Sequence, residues 1–352
     1  MENHIVGNHY EWVRVARIIA MFAVLFNHTV ANFIFQWSMP INKWLIADFY
    51  GALIRFAVPV FIILSGYLLL DKQENDVDFY KKRFLKIVIP LIVWSAVFMA
   101  VKTGSIYSVF TFEFFKDFFA GNIYIHLYFL YVIIGLYAVT PILRRILPHI
   151  NIKYLYLYLM FWLISSSLIP ALYYFNIQLY NIFEYATGYI GYYLIGYLIK
   201  TITISKNISR ILIPILVSSV LAIFLSMWYF SIKNNHVDST FAENLALPVV
   251  IQSVCVVVLI KNWIEGKDFK SKILAQIDKT TMGIYLIHMI FLRIFLKIIS
   301  DGDLVKISPS FFNFYQFDLV YSIPLVVFVL FICSFVSVSI IQRIPLIKYI
   351  VP

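Results

Sequence analysis

An all-α bundle of about ten membrane-crossing helices is the fold class this sequence predicts, and three observations carry that expectation. The 352 residues are 62% hydrophobic and only 13% charged, whereas a soluble domain is closer to half apolar and a quarter charged. Apolar runs of membrane length recur from one end of the chain to the other. Lys and Arg gather in alternate connections between those runs. Residues 1–352 are therefore expected to form one integral membrane domain whose core is the bundle interior.

A span needs about 20 mostly apolar residues. Ten segments qualify, at roughly 12–35, 47–70, 84–102, 124–146, 153–171, 183–200, 210–231, 246–264, 279–299 and 316–342. With these spans, one set of connections holds Lys72, Lys81, Lys82, Arg83 and Lys86, then Arg144, Arg145 and Lys153. The same side takes Lys200, Lys206 and Arg210, then Lys261, Lys267, Lys270, Lys272 and Lys279, then Arg343 and Lys348. The opposite connections hold only Lys43, Lys102, Lys116, Lys233, Lys297 and Lys306. The positive-inside rule then places both termini in the cytoplasm. The net charge of +10 would point to nucleic acid in a soluble protein; here it is a topology signal, and no nucleic-acid partner is expected. The opening MENHIVGNHYE is polar, without a basic region or a small-residue cleavage site, so it does not read as a cleavable signal. Cys255 and Cys333 fall in apolar segments and give neither a disulfide framework nor metal-ligand spacing. No metal site is expected. The connection 103–123 carries Phe110, Phe112, Phe114, Phe115, Phe118 and Phe119, which suit a segment on the bilayer surface or a lid.

Ionisable residues inside such spans are costly and mark function by default. Arg17 and His28 lie in the first span and Arg55 in the second. The ordinary reading is that Arg14 and Arg17 anchor a helix end in headgroups and that His28 is a structural hydrogen-bonder. Three such residues in two neighbouring spans favour function. At about 1.5 Å per residue, with Arg14 at the membrane edge, His28 sits about 21 Å up. Arg55, counted back from Leu70, comes out at about 22 Å. Arg17 and Ser65 both fall within about 8 Å of the cytoplasmic edge. One helical pair can thus carry an inner polar level and an outer one. In the basic stretch FYKKRFLK, Arg83 and Lys86 stand three apart on one helical face, as a phosphate contact or as plain topology signals. His126, Glu184, Tyr285 and His288 are further polar residues within spans and, with Ser65, are weaker candidates for substrate contact. With 25 Tyr in the chain, most tyrosines are packing or interface residues. Gly66, Gly135, Gly191, Gly196 and Gly283 are read as sites of close helix approach.

These residues, in this order, resemble the membrane acyltransferase-3 family. The resemblance rests on Arg17 with ten residues to His28, on PVFIILSGYLL (Pro59–Leu69) and on KKRFLKIVIP (Lys81–Pro90). HLYFLYVIIGLYAVTPIL (His126–Leu143) and MGIYLIH (Met282–His288) extend it over the whole chain. It implies transfer of an acyl group, usually acetyl from cytoplasmic acetyl-CoA, to a hydroxyl of a cell-envelope glycan in a bacterial plasma membrane. It also implies essential roles for Arg17 and His28, and matches Arg55 to the Arg that often precedes the Ser-Gly run. Many members have Arg-x-x-Arg after the second helix. Here Arg83 is followed by Lys86, a point charge in place of a planar fork. Since the chain ends at Pro352, it resembles the stand-alone O-acetyltransferase branch without a secreted SGNH domain.

Acyl transfer from a thioester to an alcohol needs a base, donors for the oxyanion and cations for the donor's phosphates. His28 suits the base, or a transient acyl carrier. Arg55 suits an oxyanion or an acceptor group. Arg17, Arg83 and Lys86 suit acetyl-CoA phosphates. Ser65 is better read as a packing feature than as a nucleophile. The expected partners are acyl-CoA, an envelope glycan or lipid-linked sugar, and membrane lipids. A transporter or flippase of a lipid-linked sugar is the alternative, because intramembrane Arg and His without a soluble domain fit it too.

Overall fold

The computed structural model describes residues 11–172, 174, 188–267, 271–299, 318–345 and 347–352, and contains no strand among them. The helices in chain order are α1 (Glu11–Ile34), α2 (Ile41–Ile54), α3 (Ala57–Leu69), α4 (Asp76–Arg83), α5 (Ile89–Thr103), α6 (Phe112–Ala120) and α7 (Tyr128–Ile146). They continue with α8 (Ile152–Leu163), α9 (Ile169–Leu172), α10 (Ile190–Thr201), α11 (Ser209–Asn234), α12 (Leu247–Ile264), α13 (Lys272–Ile299) and α14 (Leu319–Ile341). Among the described residues, eight helical segments are long and apolar enough to cross a membrane. α10 and α13 occupy the places of the sixth and ninth expected spans. Glu184 lies outside the described residues.

Three expected spans are not regular helices, and proline explains where each gives way. The second span breaks at Arg55–Phe56, between α2 and α3. Pro59 follows, and its ring faces the carbonyl position of residue 55, four back. A π-helical turn at Phe84–Val88 precedes Pro90, and another at Ile164–Leu168 precedes Pro170. Each releases the carbonyl that the proline cannot accommodate, as π-bulges do. The connection before α7 forms a 3₁₀ turn at Ile106–Phe110 and then α6. α6 buries Phe114 and leaves Phe112, Phe115 and Phe119 exposed, an apolar face of the kind that suits a bilayer surface.

α1 is the hub. It packs against α2, α3, α12, α13 and α14, and α10 packs on the far side of α3. Two levels of contact between α1 and α13 set their relation. Arg17 pairs with Asp278 at 3.2 Å, and the His28 and His288 rings lie 5.2 Å apart. Both helices rise in the same sense between those levels, so they run parallel, as first and ninth spans must in a ten-span chain.

The α3–α10 contact depends on two glycines. A Cβ on Gly66 would meet the Tyr193 carbonyl, and one on Gly196 would meet the Ile63 carbonyl. Neither neighbour is a side chain that can swing away. Gly191 likewise lies against the Trp162 ring and Gly283 against Val338, while Gly135 has open space around it. Gly66→Ala is therefore expected to destabilise the bundle by at least the 1–3 kcal/mol typical of overpacking, about. Gly135→Ala should be neutral or slightly stabilising, because Ala is the better helix former. Thermal melting of the two purified variants in detergent checks this; equal melting temperatures would refute the close-approach account.

Candidate active site

At the basic end of the bundle a cavity of about 850 Å³ opens between α1, α3, the α4–α5 turn, α7, α13 and the C-terminal segment. Arg17, Lys82, Arg83, Lys86, Lys279 and Lys348 line it, and Asp278 is its one acidic side chain among the described residues. Asp278 is engaged by Arg17, and Lys82 bonds Glu74 at 2.6 Å. Among the described residues, Arg83, Lys86, Lys279 and Lys348 have no carboxylate within 4.0 Å. The cavity thus keeps a surplus of positive charge suited to a polyanion. Apolar walls from Phe61, Leu64, Leu68, Phe129 and Ile133 lead inward from the cations.

The sequence placed Arg17, Ser65, Arg83 and Lys86 at this level, and the cavity collects all four. It also collects Lys279 and Lys348, which the sequence showed only as topology charges. The π turn puts Lys86 on the same wall as Arg83 although the helix there is not α-helical. Arg83 lies over the Phe79 and Tyr137 rings, at 5.1 and 5.5 Å, which fixes the direction of its guanidinium. Ser65 donates to the Phe61 carbonyl of its own helix at 2.8 Å, the bond of a packed helical serine. The C-terminal segment is tied to the rim: Trp94 donates to the Ile350 carbonyl at 2.8 Å and Gln342 to the Val351 carbonyl at 3.0 Å.

Glu74, in the connection before α4, holds the basic turn in place. It meets Lys82 at 2.6 Å, Lys72 at 3.4 Å and Arg144 at 3.8 Å. The hydrogen bond from Lys82, reinforced by both lysine charges, holds its carboxyl below the ordinary glutamate value despite burial. Arg144 also donates to the Leu69 carbonyl at 2.7 Å, capping α3. Lys261 caps α10 in the same way, through the Ile199 carbonyl at 3.1 Å.

Tyr285 links the cavity to a cluster of imidazoles. It lines the cavity, its hydroxyl donates to the His126 carbonyl, and its ring lies 5.6 Å from His126 and 6.2 Å from His288. The His28, His126 and His288 rings lie 5.2 to 6.2 Å from one another. His126 and His288 are fully buried, whereas His28 is half-buried. His126 is packed by Phe98 and Tyr124. No group of three or more metal-ligating side chains among the described residues could hold a metal ion. The trio joins three distant parts of the chain, and its sequence signal was no more than three histidines inside apolar runs.

Arg55 is placed elsewhere. It sits at the α2–α3 break, and the charged groups it faces are Glu243 and Asp48, with Tyr128. Its guanidinium folds back along α2 towards Gly51. Among the described residues no hydrogen bond joins Arg55 to His28, and the groups that act on its charge are those of the break. Asp48, buried and close to this break, was not singled out by the sequence; Gln252, a polar residue within the eighth expected span, is buried beside it and donates to the Ala52 carbonyl at 2.8 Å. Asn244 donates to the Tyr128 and Tyr189 hydroxyls at 2.9 and 3.2 Å beside them.

A family model described as an acyltransferase domain, that of the acyltransferase-3 family, matches residues 10–343. No curated protein and no solved structure matches the chain.

Proposed function

Because the chain belongs to the acyltransferase-3 family and is a membrane acyltransferase, we propose that it moves an acetyl group from cytoplasmic acetyl-CoA to a hydroxyl of a cell-envelope sugar or polysaccharide. The observation that carries this reading is the join between a cation-rich cavity and the half-buried His28 by way of Tyr285 and His288. A cavity of this size is within the range of small-molecule sites. The free cations Arg83, Lys86, Lys279 and Lys348 take the donor's phosphates, and the apolar walls take the pantetheine arm towards Tyr285. Arg17 acts with Asp278 at the same level.

His28 then serves as the base. A nitrogen of its ring takes the proton of the acceptor hydroxyl as that oxygen bonds to the acetyl carbonyl carbon. The oxyanion collapses, the carbon–sulfur bond breaks, and the departing thiolate takes the proton from His28. The products are the ester and CoA as its thiol. Arg55, with Asp48 and Glu243 facing it, serves the acceptor side, where it orients a hydroxyl or an acidic group. His126 and Tyr285 shape the passage between the two substrates.

A base acting in the transition state contributes about 10²–10⁴-fold to the rate. His28→Gln should accordingly lose acetyl labelling of envelope glycans from radiolabelled acetyl-CoA by that factor, while its level in the membrane stays normal. A well-expressed and active His28→Gln protein would remove His28 from the role. Absence of labelling by the unsubstituted protein would favour a transporter of a lipid-linked sugar.

Arg83→Ala and Lys86→Ala should each weaken acetyl-CoA binding, by roughly the 1.5–3 kcal/mol of a hydrogen bond to a charged group at most. Isothermal titration of the purified variants measures it, and unchanged affinity in both would return these residues to topology alone.

The donor's cytoplasmic origin requires the basic end to face the cytoplasm, with both termini there. Reporter fusions after Lys43, Lys116 and Lys233 should read outside; two or more reading inside would reverse the orientation.

A further inference from the structure

We propose that His288 is a positioning residue: its Nε2 accepts a hydrogen bond from the His28 ring and so presents the other His28 nitrogen as the base. The inference rests on the role of His28 given above and deepens it.

The tautomer of His288 is set by main-chain geometry. Its Nδ1 lies 2.7 Å from the Tyr285 carbonyl and 3.2 Å from the Ile284 carbonyl. A carbonyl only accepts, so Nδ1 carries the hydrogen. In the neutral ring the lone pair is therefore on Nε2. That atom is buried and has no hydrogen-bond partner among the described residues. A buried acceptor without a donor is costly, so the arrangement calls for one.

His28 is the nearer of the two imidazoles beside it, and we assign the donor to His28. Its ring centroid is 5.2 Å from that of His288, nearer than the His126 ring at 5.6 Å. An imidazole nitrogen lies little more than one bond length from its ring centre. This separation therefore leaves about 2.9 Å between facing nitrogens, an ordinary hydrogen-bond length. The His28 ring makes no hydrogen bond to any described residue, so it is free to turn one nitrogen towards Nε2. Neutral His28 has one N–H and one lone pair. Donating the N–H to His288 leaves the lone pair of the other nitrogen to take the hydroxyl proton. The same bond holds the imidazolium that forms when the proton arrives. This is the division of labour in which a second group fixes the tautomer and orientation of a catalytic imidazole, with a neutral histidine as the orienting group. A carboxylate there would be an uncompensated charge in an apolar bundle. α13 presents Nε2 rigidly, because the carbonyls that hold Nδ1 belong to its own preceding turn.

Two substitutions separate the nitrogens. In His288→Asn the amide N–H replaces Nδ1–H and the ε acceptor is lost. In His288→Gln the amide oxygen reaches about the position of Nε2. His288→Asn is expected to lower kcat for acetyl transfer to envelope glycan about 10- to 100-fold, with KM for acetyl-CoA unchanged. His288→Gln should recover most of that loss, and both should melt like the unsubstituted protein. Unchanged kcat in His288→Asn, or equal loss in both variants, would overturn the proposal. If either variant fails to fold, nitrogen NMR of the unsubstituted, ¹⁵N-histidine-labelled protein decides. A His288 ring with Nδ1 protonated and Nε2 hydrogen-bonded supports the proposal; a free Nε2 or the opposite tautomer overturns it. Failure of His28 itself is distinct: an active His28→Gln removes the base, whatever His288 does.

Discussion

A polar group taken into an apolar bundle needs a partner, and in this protein the partners are largely main-chain carbonyls. Arg144 reaches the Leu69 carbonyl at the end of α3, and Lys261 reaches the Ile199 carbonyl near the end of α10. Gln252 reaches the Ala52 carbonyl beside the α2–α3 break, and His288 reaches the Tyr285 carbonyl within α13. Helix ends and breaks supply carbonyls that no helical N–H claims. The bonds of Arg144, Lys261 and Gln252 each stitch one helix to another in a medium that gives little hydrophobic drive for helix association. The groups left without hydrogen bonds among the described residues are then informative. His126 and His288 Nε2 belong to the imidazole trio, and Asp48 lies by Arg55 at the break.

Proline decides where the breaks fall. Pro59, Pro90 and Pro170 each follow an irregular turn by a few residues. Two of those turns serve the site. The break before Pro59 exposes Arg55 at a helix end, and the π turn before Pro90 carries Lys86 into the cavity wall. Irregular backbone at membrane depth is tolerated where protein or a polar space receives it, so the same prolines that cost helical hydrogen bonds also locate the polar chemistry.

Two parallel helices, α1 and α13, connect the ends of the site. Arg17 and Asp278 meet at one level and His28 and His288 at the next. Ten or eleven residues of helix separate the levels, about 16 Å. Both levels are fixed by stiff elements, so their distance does not depend on loops. That spacing suits a donor held by its phosphates at one level and delivering its acyl group at the other. Tyr285, one helical turn before His288, stands between them.

Composition and periodicity were sufficient for the all-helical membrane bundle, because a long apolar run has few other solutions in lipid. The alternation of Lys and Arg gave the parity of the spans, and the parallel α1 and α13 agree with it. The sequence also placed Arg17, Ser65, Arg83 and Lys86 at one level, since helical rise converts residue number directly into depth. Depth is not direction, however. Arg55 and His28 come out equally deep by that count, yet Arg55 faces Asp48 and Glu243 while His28 faces His126 and His288. Which way a side chain points follows from the packing of elements distant in sequence, here α1, the turn before α7 and α13, and, for Arg55, from the proline break between α2 and α3. Only the tertiary structure could bring three isolated histidines together, because no local pattern encodes the rotation of one helix about its axis relative to another.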